Sequence, residues 1–547
     1  MKFIFTVFII SFLSFTVSAQ KLITKINTNN RVDPFSFKYN KADGTFIYAD
    51  YDTTKKKTVL ITSKSTSQEY DFTMQYSSLF DNAGNVYSYA YSSITDTAYR
   101  YYLIKNGEEI ASFDYISDGW DIKNGVIYFS AKENNKSLIV AYDTKTGIVY
   151  KGKAYDEIYL VNFTQEYYEG EPAGTIGFTN DGQPFYLASQ NNMKFLVTGN
   201  TEQKHYPDID FYSVRTDKNV ELAYIARSKG SFYTEKGNTF VVHGTKEYRS
   251  YDYITGTIIF DKKNNPVYVS SDSIGEYLYR SRLMIGNKEG ESYEGNIYEY
   301  EITPSGSIAY VVTTQEPASK KGDYKYESFL VIDGDETKRY NSISSVNFTE
   351  GDTPLFTAGD KNNKYFVVKG GMIISEKYDN VYDYILLSDG SLAYIGSNYG
   401  NYEKQIPDKN FIHVLGKKYG PYEFISMADY TTGKYILIHN NNFAFVSGKL
   451  TSREDYTYKY KVTTGEWESS EYDVIDKVKM INGKVIYVSG DMFDKTSYQY
   501  NYNLFIDNKL VADNYNAIID LAYDKNSGKV TCIGCKANSF YLIEFGI

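Results

Sequence analysis

The sequence predicts an all-β protein built from a repeated unit of about four short strands. Three observations lead to this prediction. A turn-and-strand pattern recurs along nearly the whole chain, the composition is rich in residues that favour strands, and no helical periodicity of useful length follows the N-terminal segment.

The N-terminal segment, residues 1–19, has the features of a secretory signal peptide. Lys2 precedes an apolar run that ends at Val17, and small residues lead up to Ala19. The run is shorter than the ~20 residues that a membrane-spanning helix needs. We therefore expect an exported chain that starts at Gln20, is soluble and has no transmembrane segment after cleavage. Its location would be periplasmic or extracellular.

The composition favours strands and argues against some partners. The chain contains 59 Tyr and 32 Phe but only 10 Pro, and aromatic and β-branched residues suit pleated, half-buried surfaces. The formal charge is −10. Because nucleic-acid binding requires a basic face for phosphate, we expect no nucleic-acid partner.

The repeated pattern consists of a polar turn with Gly or a substitute, an apolar run with Tyr or Phe, and in most copies a final Ala, Ser or Gly. Twelve copies span residues 43–49, 83–90, 124–131, 181–188, 219–226, 264–271, 305–312, 351–358, 389–396, 432–438, 482–490 and 527–534. Their turn positions run from 44 to 528 in eleven intervals that average 44 residues. A period of this length indicates a repeat architecture.

Each unit has room for about four strands. Asp-Gly or Asn-Gly pairs supply the positive φ of a tight hairpin. The run after the turn, as in residues 126–131, is apolar on both faces and predicts a buried inner strand. A second hairpin, as in residues 239–244, and an acidic-aromatic stretch, as in residues 251–254, complete the unit. Four strands at this spacing are typical of a β-propeller blade.

Two segments carry a family resemblance. TPSGSIAYVV (303–312) and LLSDGSLAYIG (386–396) resemble the core of WD40-like bacterial β-propeller repeats, and KKYGPY (417–422) resembles a looser version of them. The blades are divergent, because no copy has the Trp-Asp pair and only Pro304 supplies the proline. The resemblance implies a propeller fold but specifies no function.

Twelve units exceed the usual 4–8 blades of one propeller. We predict two tandem propellers of six units, at residues 20–296 and 297–547, with seven plus five units as the alternative. A β-solenoid is the structural alternative, but its rungs are shorter than 44 residues.

Cys532 and Cys535 form the one Cys-x-x-Cys motif. A zinc site would need two more nearby ligands, and a redox pair would need a helix start in a βαβ pattern. Neither is visible in the sequence. We interpret the pair as a structural disulfide or as two inert thiols.

No other motif assigns a catalytic, cofactor or metal residue. The four histidines occur singly, at His205, His243, His413 and His439, without a nucleophile motif. The acidic segments 208–210 and 333–336 offer oxygen ligands for calcium, but Asp and Asn are also ordinary turn residues. We interpret both segments as turns.

Tyrosine is the most unusual feature of the composition. Most of the rings are expected to fill strand positions between blades. A minority on loops are candidates for contacts with a partner, namely Tyr399, Tyr402, Tyr456, Tyr458 and Tyr460.

Complete repeat coverage without a catalytic constellation favours a non-enzymatic binding or scaffolding protein with a protein or glycan partner. The alternative is a secreted hydrolase or lyase with its active site at a propeller channel. A propeller fold supports either function.

Overall fold

The computed structural model describes residues 20–547 except 27–30, 75–76, 118, 169–170, 220, 233–236, 276–277, 318–323, 402, 405, 431, 453–456 and 495–498. The expected signal peptide, residues 1–19, lies outside the described residues. Contacts divide the chain into a terminal unit, formed by residues up to Phe35 and by Tyr378–Ile547, and a central unit, Ser36–Lys377. No helix in the described ranges is long and apolar enough to span a membrane.

The described secondary structure is almost entirely β. The strands up to residue 247 are β1 (Lys21–Lys25), β2 (Arg31–Val32), β3 (Lys38–Tyr39), β4 (Phe46–Asp52), β5 (Lys57–Thr62), β6 (Phe72–Thr73), β7 (Leu79–Phe80), β8 (Val86–Thr95), β9 (Ala98–Lys105), β10 (Glu108–Phe113), β11 (Tyr115–Ile116), β12 (Asp121–Lys123), β13 (Val126–Glu133), β14 (Lys136–Asp143), β15 (Val149–Lys151), β16 (Glu157–Tyr159), β17 (Asn162–Tyr168), β18 (Glu171–Thr175), β19 (Gly177–Phe178), β20 (Pro184–Gln190), β21 (Met193–Thr198), β22 (Thr201–Glu202), β23 (Asp208–Thr216), β24 (Leu222–Arg227), β25 (Thr239–His243) and β26 (Lys246–Glu247). Short 3₁₀ turns lie at Pro34–Ser36 and Glu350–Asp352.

The remaining strands are β27 (Tyr253–Phe260), β28 (Pro266–Gly275), β29 (Leu278–Ile285), β30 (Lys288–Ile302), β31 (Ile308–Pro317), β32 (Tyr324–Ile332), β33 (Asp335–Glu336), β34 (Ser342–Phe348), β35 (Pro354–Gly359), β36 (Tyr365–Lys369), β37 (Met372–Ile373), β38 (Asn380–Leu386), β39 (Leu392–Asn398), β40 (Lys409–Val414), β41 (Lys417–Tyr422), β42 (Phe424–Ser426), β43 (Ile436–His439), β44 (Asn442–Ser452), β45 (Thr457–Thr464), β46 (Val474–Ile481), β47 (Lys484–Asp494), β48 (Gln499–Ile506), β49 (Lys509–Tyr515), β50 (Ala517–Asp524), β51 (Lys529–Lys536) and β52 (Ser539–Gly546).

Among the described strands, four sheets contain four antiparallel strands in chain order, namely β23–β26, β34–β37, β38–β41 and β46–β49. In the sheets that contain β8, β13, β20 and β44, the first strand is replaced by two short strands, and both of them pair with the same interior strand. The long strand β30 pairs with β29 through its first part and with β31 through the rest, which joins two such sheets. The predicted division between residues 296 and 297 falls within β30, and it stays a prediction.

The predicted turn-and-strand copies form strands, and all but one of them are interior strands of their sheets. These interior strands are buried on both faces, as the five consecutive buried residues of β35 and the six of β24 illustrate. A strand that is covered by other residues on both faces has apolar side chains at successive positions, which explains the continuous apolar runs of these copies.

The copy at residues 432–438 is the exception. It forms β43, which shares the first-strand position with β42, and the interior strand of that sheet is β44. The hairpin turn before β44 has Asn440 at φ 53°. Asparagine tolerates this left-handed conformation, so the turn forms without a glycine.

The small residue that ends most copies makes room for an aromatic ring. A Cβ atom added at Gly396 would lie 2.3 Å from the ring of Tyr378, and one at Gly534 would lie 2.4 Å from the ring of Tyr515. Both tyrosines are buried and precede the first strand of the same sheet. Ring packing against the interior strand therefore limits the size of this side chain.

Four buried tyrosines link successive sheets of the central unit. The hydroxyl groups of these inter-sheet tyrosines, Tyr70, Tyr155, Tyr206 and Tyr251, each donate to a glutamate on the last strand of the following sheet at 2.7–3.2 Å. Tyr155, Tyr206 and Tyr251 each have a Lys or Arg two residues earlier in the sequence. The side chain of this cation pairs with the same glutamate and lies over the tyrosine ring. Lys204, for example, contacts Glu247 at 2.6 Å.

The acid that follows an inter-sheet tyrosine forms a second link. Asp71 accepts hydrogen bonds from Lys57 of the preceding sheet at 2.5 Å and from the backbone N–H of Ser93 at 2.7 Å. Asp156 repeats this arrangement with Lys136 and a backbone N–H group. The hydrogen bonds from the lysines, followed by those from the backbone, lower the pKa of both carboxyl groups.

The N-terminal strand completes the last sheet of the terminal unit, because β1 pairs with β52 in the order β1-β52-β51-β50. Residues near the two ends of the chain are thereby hydrogen-bonded to each other. Successive four-stranded antiparallel sheets with buried interior strands define an all-β fold of the β-propeller class. The number of blades and their division between rings stay predictions.

Candidate functional site

The two cysteines are buried thiols and do not form a disulfide. They lie on β51, where Cys532 is opposite Ile543 and Cys535 is opposite Phe540. Burial raises the pKa of the Cys535 thiol to about 11. A buried, protonated thiol is a weak nucleophile and a poor metal ligand, and Cys535 has this environment.

Two of the histidines stack on aromatic rings, and a third lies on the surface. The ring of His205 stacks on Phe195 with centroids 3.8 Å apart. His413 stacks on Tyr394 at 4.3 Å, and its Nε2 atom lies 2.7 Å from the hydroxyl of Tyr378. His439 is exposed at the end of β43.

The two acidic segments differ in structure. The segment 208–210 begins β23, so its interpretation as a turn was wrong, and Asp208 pairs with Lys194 at 2.7 Å and accepts the backbone N–H of Phe232 at 3.0 Å. Asp333 lies in the hairpin turn before β33, has a φ of 50° and accepts the backbone N–H of Ile308 at 3.1 Å.

Five aromatic rings form a continuous surface in the central unit, which we call the aromatic patch: Phe72, Tyr91, Tyr99, Tyr101 and Tyr115. The ring of Tyr91 lies 5.1–5.4 Å from the rings of Phe72, Tyr99 and Tyr101. Tyr101 contacts Tyr115 of the next sheet at 5.1 Å. Phe72, Tyr99 and Tyr115 are each 41–44% exposed, so the patch presents ring surface to solvent.

Strand register places these rings together. Tyr91 pairs with Phe72 on one side and with Tyr101 on the other, so the three rings lie side by side across β6, β8 and β9. The hairpin of β8 and β9 continues beyond the buried part of the sheet, and burial along β8 decreases from Tyr91 onward. The sequence signal is the alternation of tyrosines on both sides of the turn at 96–97, which the sequence analysis did not single out.

Two of the five tyrosines selected from the sequence lie in a second aromatic cluster, in the terminal unit. The rings of Tyr458 and Tyr460 are 6.2 Å apart, and both contact Phe424. Tyr399 is 62% exposed. Tyr402 and Tyr456 lie outside the described residues.

The fourth histidine, His243, belongs to a cluster of potential metal ligands in the central unit. Its Nε2 atom lies 2.9 Å from Oδ2 of Asp217 and 3.8 Å from Oε2 of Glu221. Asp217 is buried, His243 is 10% exposed at its side chain, and Glu221 is exposed. Burial opposes ionisation of Asp217, but hydrogen bonds from His243 and from the backbone outweigh it and lower the pKa of the carboxyl group.

The cluster is assembled from different elements. Asp217 and Glu221 belong to the hairpin between β23 and β24, His243 ends β25, and Asn264 lies in the hairpin before β28 of the next sheet. Asn264 donates its side-chain amide to Oδ2 of Asp217. In the sequence His243 had no visible partner, because the residues that it meets lie in other hairpins, far from it along the chain.

Comparisons with solved structures return matches at low similarity, propeller domains among them. A eukaryotic initiation factor covers 71% of this chain and 97% of its own at 10% identity, with a TM-score of 0.31. The β-propeller domain of the Trilobed protease from Pyrococcus furiosus covers 54% and 92% at 13% identity (TM-score 0.24). The Dos1 propeller covers 96% and 94% at 11% identity (TM-score 0.20). No protein-family model and no curated protein sequence matches this chain.

Proposed function

We propose that the chain is an exported binding protein that holds a protein partner on the aromatic patch. The observation that carries the proposal is a continuous series of five rings in pairwise contact, three of which are exposed. Contiguous exposed apolar surface on a soluble protein typically marks an interaction site. Tyrosine suits such a site because it is large, rigid and amphipathic.

The composition of the patch favours a protein as the partner. Tyrosine and phenylalanine are enriched in the central parts of protein interfaces, which are surrounded by a polar rim. The patch consists of four tyrosines and one phenylalanine.

Export is the second part of the proposal and rests on the signal-type sequence of residues 1–19. Expression with the native N-terminus in a bacterial host, followed by N-terminal sequencing of the envelope fraction, tests it. We expect the chain to start at Gln20. A cytoplasmic product that retains Met1 would contradict export.

Binding is tested with the chain from Gln20 onward, immobilised and exposed to envelope extract. The test variant combines Tyr99→Ser with Tyr115→Ser, and the matched control is Tyr150→Ser, which alters a tyrosine that is 55% exposed on β15. We expect a captured protein to bind the wild type and the control alike and to bind the double variant at least about tenfold more weakly, as for interface hot spots.

The other outcomes assign a different function. A captured protein that binds the double variant as well as the wild type places its site elsewhere. Retention on a glycan array that only the double variant loses makes the partner a glycan. Turnover of a hydrolase or lyase substrate panel, without any captured partner, replaces the binding function by an enzymatic one.

A further inference from the structure

The hairpin that contains Asp217 differs from its counterparts in other sheets. Asp81 and Asp261 occupy the same turn position, and each accepts the side-chain amide of an asparagine four residues later, Asn85 or Asn265, at 2.8–2.9 Å. In the hairpin of Asp217 that position is occupied by Glu221. A second carboxylate therefore stands where the turns of Asp81 and Asp261 have an amide donor.

Two neighbouring carboxylates repel each other unless a cation compensates them. The imidazole of His243 lies near both, at 2.9 and 3.8 Å. The amide of Asn264 approaches from the next sheet, and its Oδ1 atom is buried without a hydrogen-bond partner in the described structure. This oxygen is a further potential ligand atom beside the cluster, and the described groups of the protein leave it unsatisfied.

We propose that Asp217, Glu221 and His243 bind a divalent transition-metal ion of the zinc class, with Oδ1 of Asn264 as the fourth ligand. Zinc binds carboxylate oxygen and histidine nitrogen at about 2.0–2.2 Å, and tetrahedral geometry then separates two ligand atoms by about 3.4 Å. The observed separations of 2.9 and 3.8 Å bracket this value. Small shifts of these side chains and rotation of the Asn264 amide complete the site.

The mixed ligand set selects the metal. Calcium takes six to eight oxygen ligands, whereas an imidazole nitrogen suits zinc and similar ions. Glu221 connects the proposed metal site with solvent, because its side chain is 62% exposed. This side chain also lines a groove of about 600 Å³ together with Val242 and Gly244. An ion would therefore approach the site from the side of Glu221.

Metal binding is tested on the full chain after dialysis against a chelator. Zn²⁺ alone is titrated by calorimetry, metal content is measured after gel filtration, and Co²⁺ supplies an absorption spectrum that reports coordination. We expect about one zinc ion per chain, and binding at least about tenfold weaker for His243→Gln and for Glu221→Gln. The matched control is His205→Gln, which alters a histidine 3.4 Å from Glu202 in the preceding sheet and should bind like the wild type.

Three results would overturn the site. They are the absence of stoichiometric zinc in the wild type, equal zinc binding by wild type and His243→Gln, and equal loss of binding in the His205→Gln control. Asn264→Leu tests the fourth ligand alone, because it leaves the other three ligands unchanged. It should weaken zinc binding and change the Co²⁺ spectrum. Tryptophan emission of each variant verifies that the chain is folded.

Discussion

Replacing Tyr206 by phenylalanine removes one hydroxyl group from a buried ring and leaves the ring itself in place. The hydroxyl donates to Glu247 of the next sheet at 2.7 Å, and the whole residue is 4% exposed. Because the bond has a charged acceptor, we expect the substitution to lower the free energy of unfolding of the central unit by about 1.5 kcal/mol.

The magnitude follows from the character of the bond. A hydrogen bond to a charged group contributes about 1.5–3 kcal/mol, and the Glu247 side chain is 38% exposed, which places the bond at the lower end. The ion pair of the same glutamate with Lys204 adds little, because the lysine is 66% exposed and exposed pairs contribute at most about 1 kcal/mol.

The assay uses the distribution of tryptophan, since Trp120 lies in the central unit and Trp467 in the terminal unit. In a Trp467→Phe background, the emission of Trp120 follows unfolding of the central unit in urea. Trp120 is 6% exposed and its indole N–H donates to the carbonyl oxygen of Ser77 at 2.7 Å, so unfolding changes its environment.

A double-mutant cycle isolates the pair. Tyr206→Phe, Glu247→Gln and the combined variant should give a coupling energy of about 1–1.5 kcal/mol. The exposed control Tyr150→Phe should change stability by less than about 0.5 kcal/mol. A coupling energy near zero would refute the conclusion that the inter-sheet tyrosines hold neighbouring sheets together.

Three further predictions concern thiols, pH and packing. With a pKa of about 11, Cys535 should resist iodoacetamide at pH 8 in the native protein and react in urea; native labelling would contradict its burial. Because folding lowers the pKa of Asp71 and Asp156 below 3.8, their stabilising contribution is complete above that pH and is lost as pH falls through the lowered values. The urea midpoint of the central unit should therefore be steady from about pH 7 to 5 and decrease below about pH 4, and a flat profile at low pH would argue against these links. Gly534→Val should destabilise the terminal unit by about 1–3 kcal/mol through overpacking, measured by the tryptophan of that unit, whereas Gly546→Val, with open space around its Cβ position, should not; equal effects would refute the ring-packing argument.

The sequence by itself determined the strands and their repetition. Turn residues and continuous apolar runs act over a few neighbouring residues, so they can be recognised without knowledge of the fold. The copy at residues 432–438 was assigned to the wrong strand of its sheet because the turn before the interior strand has Asn440 at positive φ and no Asp-Gly or Asn-Gly pair. The fold class was predictable for the same local reason.

Only the tertiary structure decided which side chains meet. Tyr101 reaches Tyr115 across two sheets, and His243 reaches Asp217 across two hairpins. Strand β1 pairs with β52 although the two strands lie near opposite ends of the chain. Such contacts depend on strand register and on the stacking of the sheets. Both are set by the packing of the whole chain, so local sequence patterns do not predict these contacts.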